Sequence, residues 1–313
     1  MAPFAFEVKA MSLPAISATR AQIAFLPDRR RLHLQDGPID LIVEAFGAPD
    51  EIRIAYEAAA KRFVSVLDEL CEELPLLREP ATRASTLPRG QVARRMMLAV
   101  KPYAEVNFIT PMAAVAGAVA EEILRSMTSV ADLARAYVNN GGDIALHLNP
   151  GERLVTGAVE TAKSIAGRSS QKLFATTTID SEMPVRGIAT SGWPGRSFSL
   201  GIADAVTVLA KTATMADAAA TIIANAVDLP GHPNITRVPA KELAPDSDLG
   251  DRFVTQHVGD LSKGSVDSAL DAGSRIAESL ASRGLIHSAA LHLRGQTRII
   301  ALDTQNCGEL LHA

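Results

Sequence analysis

The sequence is poor in the residues that mark several common classes of protein. Of its 313 residues only 4% are aromatic, and it has one Trp and two cysteines, Cys71 and Cys307. Two distant cysteines without a CxxC motif or a Cys/His cluster argue against a zinc site or a disulfide framework, and they favour a reducing compartment. Because few large rings are available, the core must form mainly from Ala, Val, Leu and Ile with closely packed backbones.

Long hydrophobic runs and charge of one sign are also lacking. The longest apolar stretch, residues 112–120, is much shorter than the roughly 18 residues that a membrane span needs. The net charge of −4 argues against a nucleic-acid binder, which usually carries a basic face. Residues 1–20 show no basic segment followed by an apolar one, as a signal peptide would. We therefore expect a soluble, cytoplasmic protein with no membrane and no nucleic-acid partner.

Helical periodicity is present in several segments. Apolar residues at helical spacing predict amphipathic helices over residues 51–74 and 265–283, and Ser265 is the predicted N-cap of the second. Two further helices, over 112–124 and 215–227, are rich in Ala, and Thr110 is the predicted N-cap of the first. Pro- and Arg-rich residues 75–105 are expected to be irregular apart from a short helix near 91–100. The proline-punctuated residues 230–245 are expected to form a loop.

Strand patterns lie between these helices. They comprise residues 31–35, 39–46, 143–148, 154–159, 172–179, 186–190, 205–209, 285–293 and 297–302, with a turn at 139–143. An N-terminal β-hairpin (about 20–47) and a C-terminal helix plus hairpin (about 262–303) are expected. Because the strands do not alternate regularly with helices, the sequence predicts an α+β fold. No low-complexity linker divides the chain, so we expect a single domain over residues 1–313.

The turn before the second strand group is the first candidate site. Gly141 and Gly142 permit positive φ and a close approach of a ligand to the backbone, while Asp143 and Asn140 offer polar groups. The alternative interpretation is an ordinary Asn/Gly/Asp turn that enters a strand, and composition alone favours it.

A second candidate is the loop that follows the predicted strand 186–190. It combines Thr190, Ser191, Gly192, Trp193 and Arg196. Amides and hydroxyls of this kind can cradle a phosphate, with the guanidinium as counter-charge, although the Lys and the spacing of a P-loop are missing. A tight loop with its Trp anchored in the core explains the same composition equally well.

A third candidate is a carboxylate and a hydroxyl on one helix. Asp217 and Thr221 are four residues apart, so they share a helix face and could bind a hard cation together with a carbonyl and water. The alternative is a first-turn Asp favoured by the helix dipole and a Thr bonded back along the helix. The seven histidines show no metal-ligand spacing and no GxSxG motif occurs, so the catalytic residues are left unassigned.

These three segments, in this order, resemble the ApbE superfamily. Residues 140–144, 188–192 and 216–221 are similar to its GGD, ATSG and AD-x-x-x-T motifs, and residues 114–121 match more loosely a helix that reads IAKGYAVD. Most of the chain is more similar still to an uncharacterised ApbE-like subfamily that lacks the usual flavin-loop His. The segments that carry this second resemblance are 30–41, 137–144, 192–204 and 246–252.

The resemblance implies a fold and a chemistry. The fold would be ApbE-like (T-fold-like), with mixed antiparallel sheets packed against Ala-rich helices. ApbE enzymes depend on magnesium, bind FAD, and transfer its FMN part to a protein Thr or Ser with release of AMP. By motif, Asp217, Thr221 and the carbonyl of Val115 would match the metal ligands. Residues 140–143 and 190–192 would line the nucleotide cleft.

The chain departs from the ApbE pattern at two places. Ala116 stands where the family has a Lys, and residues 198–204 run directly into the next strand where the family has an H-I-I-D-P-x-T-G loop. Three functions therefore remain open. They are Mg²⁺-dependent binding of FAD, FMN or a related nucleotide with FMN transfer or pyrophosphate cleavage, non-catalytic binding of a small molecule, and an enzyme for another heterocycle that contacts Trp193 and Arg196. The Ala-rich helices and apolar strands also suit a homodimer.

Overall fold

The computed structural model describes residues 20–163 and 169–301, and for 158–163 and 169–175 only the backbone is described. The predicted α+β class is confirmed: antiparallel sheets pack against helices, several of them Ala-rich. The helices are α1 (Pro49–Glu72), α2 (Leu74–Arg78), α3 (Gln91–Val100), α4 (Val115–Thr128), α5 (Ala213–Ala226), α6 (Ala240–Leu243) and α7 (Lys263–Ser282). A 3-10 turn, Pro111–Ala114, precedes α4.

Strands pair only with antiparallel neighbours in the described part of the chain. The strands are β1 (Gln22–Phe25), β2 (Leu32–Asp36), β3 (Ile39–Gly47), β4 (Leu133–Asn140), β5 (Asp143–Leu148), β6 (Arg153–Lys163), β7 (Ser169–Asp180), β8 (Gly187–Ser191), β9 (Ala205–Ala210), β10 (Ile235–Pro239), β11 (Phe253–Val258), β12 (Ser288–Leu293) and β13 (Gln296–Ala301). Nine of them form one sheet in the order β1-β2-β3-β4-β5-β8-β9-β12-β13. The other four form two separate pairs, β6–β7 and β10–β11.

The core has two parts on opposite faces of the large sheet. Helices α1, α4, α5 and α7 pack on one face and form the main core with inward residues such as Val43, Val138 and Val208. A smaller cluster on the other face includes Leu146, Ile188 and Leu209. The buried residues of α5 are mostly alanines, so this helix lies close to the backbones of β8 and β9, as the low aromatic content predicts.

Several predicted element boundaries are wrong. Asn139 and Asn140 belong to β4 and pair with β3, so the turn itself is only Gly141–Gly142. The segment 230–245 contains β10 and α6, and residues 75–78, expected to be irregular, belong to α2. Three features of the sequence analysis lie outside the described residues. They are the expected absence of a signal peptide in residues 1–19, the end of the C-terminal hairpin at 302–303, and Cys307. No helix of the described residues is long and apolar enough to cross a membrane.

Two predicted helix caps differ from the structure. Thr110 is the N-cap residue of the 3-10 turn, but its side chain makes no cap bond; its hydroxyl donates to the carboxylate of Asp248, and the α-helix begins five residues later. The last long helix begins at Lys263, and its N-cap is Ser262 rather than Ser265. Ser262 Oγ accepts a hydrogen bond from the Ser265 amide at 3.1 Å. Both errors arise because a hydroxyl residue near a helix start can serve either as the cap or as a neighbour of it.

The corrected cap of α7 can be tested by substitution. Ser262→Ala should lower the free energy of unfolding by about 1 kcal/mol, because the Ser265 amide loses its acceptor. Ser265→Ala is the matched control and should cost clearly less, because it removes only the hydroxyl that contacts Ser262 Oγ. Urea denaturation measures both. An equal or larger loss for Ser265→Ala would contradict this cap assignment.

Candidate functional site

A cleft of about 2460 Å³ opens where the β4–β5 turn, the end of β8, the loop 192–204, the first turn of α4 and one face of α5 meet. It brings together nearly all the site residues predicted from the sequence. Those that line it are Val115, Asn140, Gly141, Gly142, Asp143, Thr190, Ser191, Gly192, Arg196, Asp217 and Thr221. The exception is Trp193, which packs against the main core behind the loop. Segments far apart in sequence therefore converge on one place.

Two carboxylates form the acidic centre of the cleft. Asp143 is the first residue of β5, and its Oδ1 accepts the amide of Thr190 at 3.1 Å. Asp217 lies on α5, and its Oδ2 accepts the amide of Gly117, in the first turn of α4, at 3.0 Å. Backbone amides from β8 and α4 thus hold each carboxylate in place. The start of α4 also favours a negative group there through the helix dipole.

The electrostatics of this pair are unfavourable for two negative charges. Burial raises the pKa of Asp217 to about 7, although hydrogen bonds from the amides of Gly117 and Ala116 oppose the rise. Burial and the neighbouring charge of Asp217 raise the pKa of Asp143 well above 3.8, against a smaller effect of the Thr190 amide. Two partly buried carboxylates with raised pKa values are a common arrangement where a proton or a cation is to be held.

The donor set suits a hard divalent cation held with help from a ligand. No group of three or more His, Cys, Asp or Glu residues that could hold a metal occurs among the described residues. Asp143, Asp217 and the hydroxyl of Thr221 offer oxygen atoms only. Mg²⁺ is typically bound by one or two carboxylates, with water and substrate phosphates completing its shell, whereas Zn²⁺ favours His and Cys. Val115, the predicted carbonyl ligand, is the first residue of α4 and lines the same cleft.

One face of α5 carries a third polar residue that the sequence interpretation missed. Asp217, Thr221 and Asn225 are spaced by four residues, and all three line the cleft. The signal was present in the sequence, because the spacing that links the first two residues repeats once more. Asn225 lies near the end of an Ala-rich helix, where no motif draws attention to it. The stripe therefore extends the polar wall of the cleft by one helical turn.

The β4–β5 turn is both a tight glycine turn that enters a strand and part of the border of the cleft. Gly141 and Gly142 adopt φ values of 66° and 115°, so the turn is tight and needs glycine, and it enters a strand. Asn139 Oδ1 accepts the Gly142 amide at 2.9 Å. Asn140 is buried, and its Nδ2 donates to the Ala116 carbonyl at 3.2 Å. The amide of Asn140 therefore joins β4 to the first turn of α4 while the glycines border the cleft.

Trp193 anchors the second predicted loop from behind. Its indole Nε1 donates to Asp204 Oδ1 at 3.1 Å, and Asp204 Oδ2 accepts the backbone amide of Arg294 at 2.6 Å. Asp204 thus joins the start of the loop to the turn between β12 and β13. This position corresponds to the alternative in which the Trp is a core anchor rather than a stacking surface.

Arg196 is a cation at the rim of the cleft. It is exposed, and its Nη2 donates to the Pro38 carbonyl at 3.2 Å. Its guanidinium lies over the turn, close to Gly141. The salt bridges of the described residues do not include Arg196, so its charge is available to an anion.

Comparison with known proteins identifies similar chains. A protein-family model described as AbpE bacteria matches residues 23–299. A UPF0280 protein of Methanopyrus kandleri is 38% identical over 170 residues, which is 53% of this chain and 62% of that protein. A UPF0280 protein of Methanococcoides burtonii is 34% identical over 189 residues, which is 58% of this chain and 73% of that protein. The chain spans less than two thirds of the length of the first relatives that it matches, from 62% to 50%.

Solved structures give weaker similarity. The flavin transferase ApbE from Vibrio cholerae aligns with a TM-score of 0.37 and 13% identity, over 90% of this chain and 97% of that chain. The apo form of the flavinyl transferase ApbE from Pseudomonas stutzeri aligns with a TM-score of 0.39 and 10% identity, over 91% of this chain and 94% of that chain.

Proposed function

We propose that this chain, which belongs to the AbpE bacteria family, binds a flavin nucleotide such as FAD or FMN, or a related nucleotide, together with Mg²⁺ in the cleft. One observation carries the proposal: Asp143 and Asp217 line the same cleft, burial raises the pKa of both, and the charge of Asp217 adds to the rise at Asp143. A divalent cation would remove that repulsion, and the phosphates of a nucleotide would complete its coordination. Thr190, Ser191 and Gly192 and the glycines of the β4–β5 turn border the same space.

Different residues of the cleft would bind the cation and the phosphates. Asp217, Thr221 and the Val115 carbonyl are the proposed protein ligands of Mg²⁺, with Asp143 beside them. Bound Mg²⁺ would neutralise charge on a diphosphate and on its leaving group. Arg196 would bind a phosphate oxygen from the rim of the cleft. The backbone amides of residues 191–192 would donate to a phosphate oxygen from the loop. Gly117 and Thr190 hold the two carboxylates in fixed orientations through their amides.

Two proposals differ in what happens to the nucleotide after it binds. The first is FMN transfer or cleavage of the diphosphate, the activity that the ApbE resemblance implies. The second is binding without turnover, and Ala116 favours it, because a methyl group lines the cleft where ApbE proteins carry a Lys. A homodimer stays a prediction that light scattering would check.

Purified protein should gain thermal stability from FAD only when Mg²⁺ is present. A ligand at 100 times its dissociation constant stabilises the folded state by about 2.7 kcal/mol, which differential scanning fluorimetry detects easily. Chromatography of the same mixture would show AMP if the diphosphate is cleaved, and intact FAD if it is only bound. The absence of any Mg²⁺-dependent shift with FAD, FMN and pyrophosphate would refute this function.

A further inference from the structure

Asn225 occupies the cleft beyond the proposed metal ligands, and its orientation is fixed by the loop 192–204. Its Oδ1 accepts the Leu200 amide at 2.9 Å and the Ser199 hydroxyl at 3.2 Å. A backbone amide can only donate, so the side-chain oxygen must be the atom that faces Leu200. The NH₂ group is therefore on the other side of the amide, and no acceptor for it occurs among the described residues. Asn225 itself lines the cleft.

The loop that orients Asn225 is fixed by contacts independent of it. The Thr255 amide donates to the Ser199 carbonyl at 2.9 Å, and the Thr255 hydroxyl donates to the Gly201 carbonyl at 2.8 Å. Arg237 Nη1 donates to the Leu200 carbonyl at 2.6 Å. Because the loop is fastened from behind, it holds the amide of Asn225 still rather than being held by it. A hydrogen-bond donor fixed in this way costs little entropy when a ligand accepts from it.

Distance along α5 indicates which part of a ligand could reach this donor. An α-helix rises about 1.5 Å per residue, so Asn225 lies about 12 Å from Asp217 and about 6 Å beyond Thr221 along the axis. A phosphate held through Mg²⁺ at Asp217 and Thr221 would therefore lie roughly one helical turn away. The oxygen of Asn225 is already occupied, so this residue is also a poor candidate for a metal ligand.

We propose that Asn225 is a specificity-determining residue whose NH₂ group donates to a neutral acceptor atom of the ligand outside its metal-bound phosphates. The acceptor is a carbonyl oxygen, a hydroxyl oxygen or a ring nitrogen of the sugar or heterocycle. This inference rests on the proposed function, and it adds a contact with the non-phosphate part of the nucleotide. A fixed donor discriminates strongly against ligands that offer no acceptor there, because the polar group is then left unpaired.

The test replaces the donor without removing the acceptor that serves the loop. Asn225→Asp keeps an oxygen for Leu200 and Ser199 and turns the NH₂ group into a second oxygen. With Mg²⁺ present, its affinity for FAD should fall about tenfold or more, and its affinity for inorganic pyrophosphate should change less than twofold. Titrations run at about 0.15 M salt, where the Debye length is about 8 Å, limit the long-range effect of the added charge. Asn225→Ser adds no charge, and its shorter hydroxyl should show the same split.

A matched control separates recognition from loop anchoring. Ser199→Ala removes one of the two bonds to the Asn225 oxygen and the acceptor of the Gly201 amide. It leaves the Leu200 bond and the NH₂ group, so its FAD affinity should stay close to that of the unaltered protein even if its stability falls. Three results would overturn the inference. The first is an equal loss of FAD and pyrophosphate affinity in both Asn225 variants, and the second is an unchanged FAD affinity in those variants. The third is a loss of FAD affinity in Ser199→Ala as large as the loss in Asn225→Asp. If the unaltered protein binds neither ligand, the proposed function fails first and this inference fails with it.

Discussion

Asp217→Asn should abolish the stabilisation of this protein by FAD and Mg²⁺ together. The substitution keeps the shape of the side chain and an oxygen for the Gly117 amide, but it removes the charge that would bind the cation. Loss of even a group that only supports a metal ligand typically costs 10–100-fold in metal affinity, and loss of a charged ligand should cost at least the upper figure. Isothermal titration with FAD, in buffers with and without Mg²⁺, measures the effect.

The same variant should be more stable than the unaltered protein when Mg²⁺ is absent and the pH is above about 7. The folded pKa of Asp217 is raised to about 7, whereas an unfolded Asp has a pKa near 3.9. The folded state therefore binds this proton more tightly, so its contribution to stability is complete below pH 3.9 and is lost as the pH rises to 7. A shift of about three pKa units sets an upper limit of about 4 kcal/mol on the gain.

The order of stabilities should therefore reverse between two conditions. At pH 8 with EDTA the Asp217→Asn variant should unfold at the higher urea concentration, and with FAD and Mg²⁺ the unaltered protein should. Asp271→Asn, on the exposed face of α7, is the matched control and should respond to neither condition. A Mg²⁺-dependent FAD affinity that survives in Asp217→Asn would show that the metal site has been wrongly assigned.

Local patterns in the sequence predicted many of the residues that line the cleft, although Asn225 was missed and Val115 came only from the family resemblance. Asp217 and Thr221 share a helix face because of their spacing alone, and Gly141 and Gly142 need the positive φ that their neighbours suggested. The α+β class also followed from local patterns, since strand and helix periodicities differ along the chain. Roles for Val115, Asp143 and Arg196 stay predictions, because placement in a cleft does not show what binds there.

Features that depend on contacts between distant segments could not be predicted in the same way. The position of Trp193 behind its loop is set by Asp204 and by the turn at Arg294, about ninety residues further along the chain. Thr110 looked like a cap, but its hydroxyl meets Asp248 across the fold. Asn225 gained its significance only when the loop at Leu200 was seen to occupy its oxygen.

Gly117→Ala should be strongly destabilising, although most Gly→Ala changes within a helix are stabilising. Gly117 lies in the first turn of α4, where α5 begins alongside it. A Cβ atom there would lie 2.3 Å from the Ala213 carbonyl oxygen and 2.8 Å from the Thr214 amide nitrogen. Both are backbone atoms, so no side chain can turn aside, and the two helices must separate. Overpacking of this kind typically costs about 1–3 kcal/mol and occasionally more.

Separation of α4 from α5 would also disturb the hydrogen bonds around Asp217. Gly117 donates its amide to Asp217, and Glu121 on the next turn of α4 accepts the Thr214 amide at 2.9 Å. Moving α4 away from α5 stretches both bonds, so FAD affinity in the presence of Mg²⁺ should fall together with stability. A change that only loosened the core would lower stability without this loss of affinity.

Gly264→Ala provides the matched control for the clash. Gly264 is an exposed glycine near the start of α7, and the nearest atom to an added Cβ is Ser262 Oγ at 3.9 Å. Without a clash, the usual helical advantage of Ala should raise the free energy of unfolding by about 0.5–1 kcal/mol. Urea denaturation of both variants should therefore give changes of opposite sign. If Gly117→Ala were as stable as Gly264→Ala, the close approach of α4 to α5 at Gly117 and Ala213 would be contradicted.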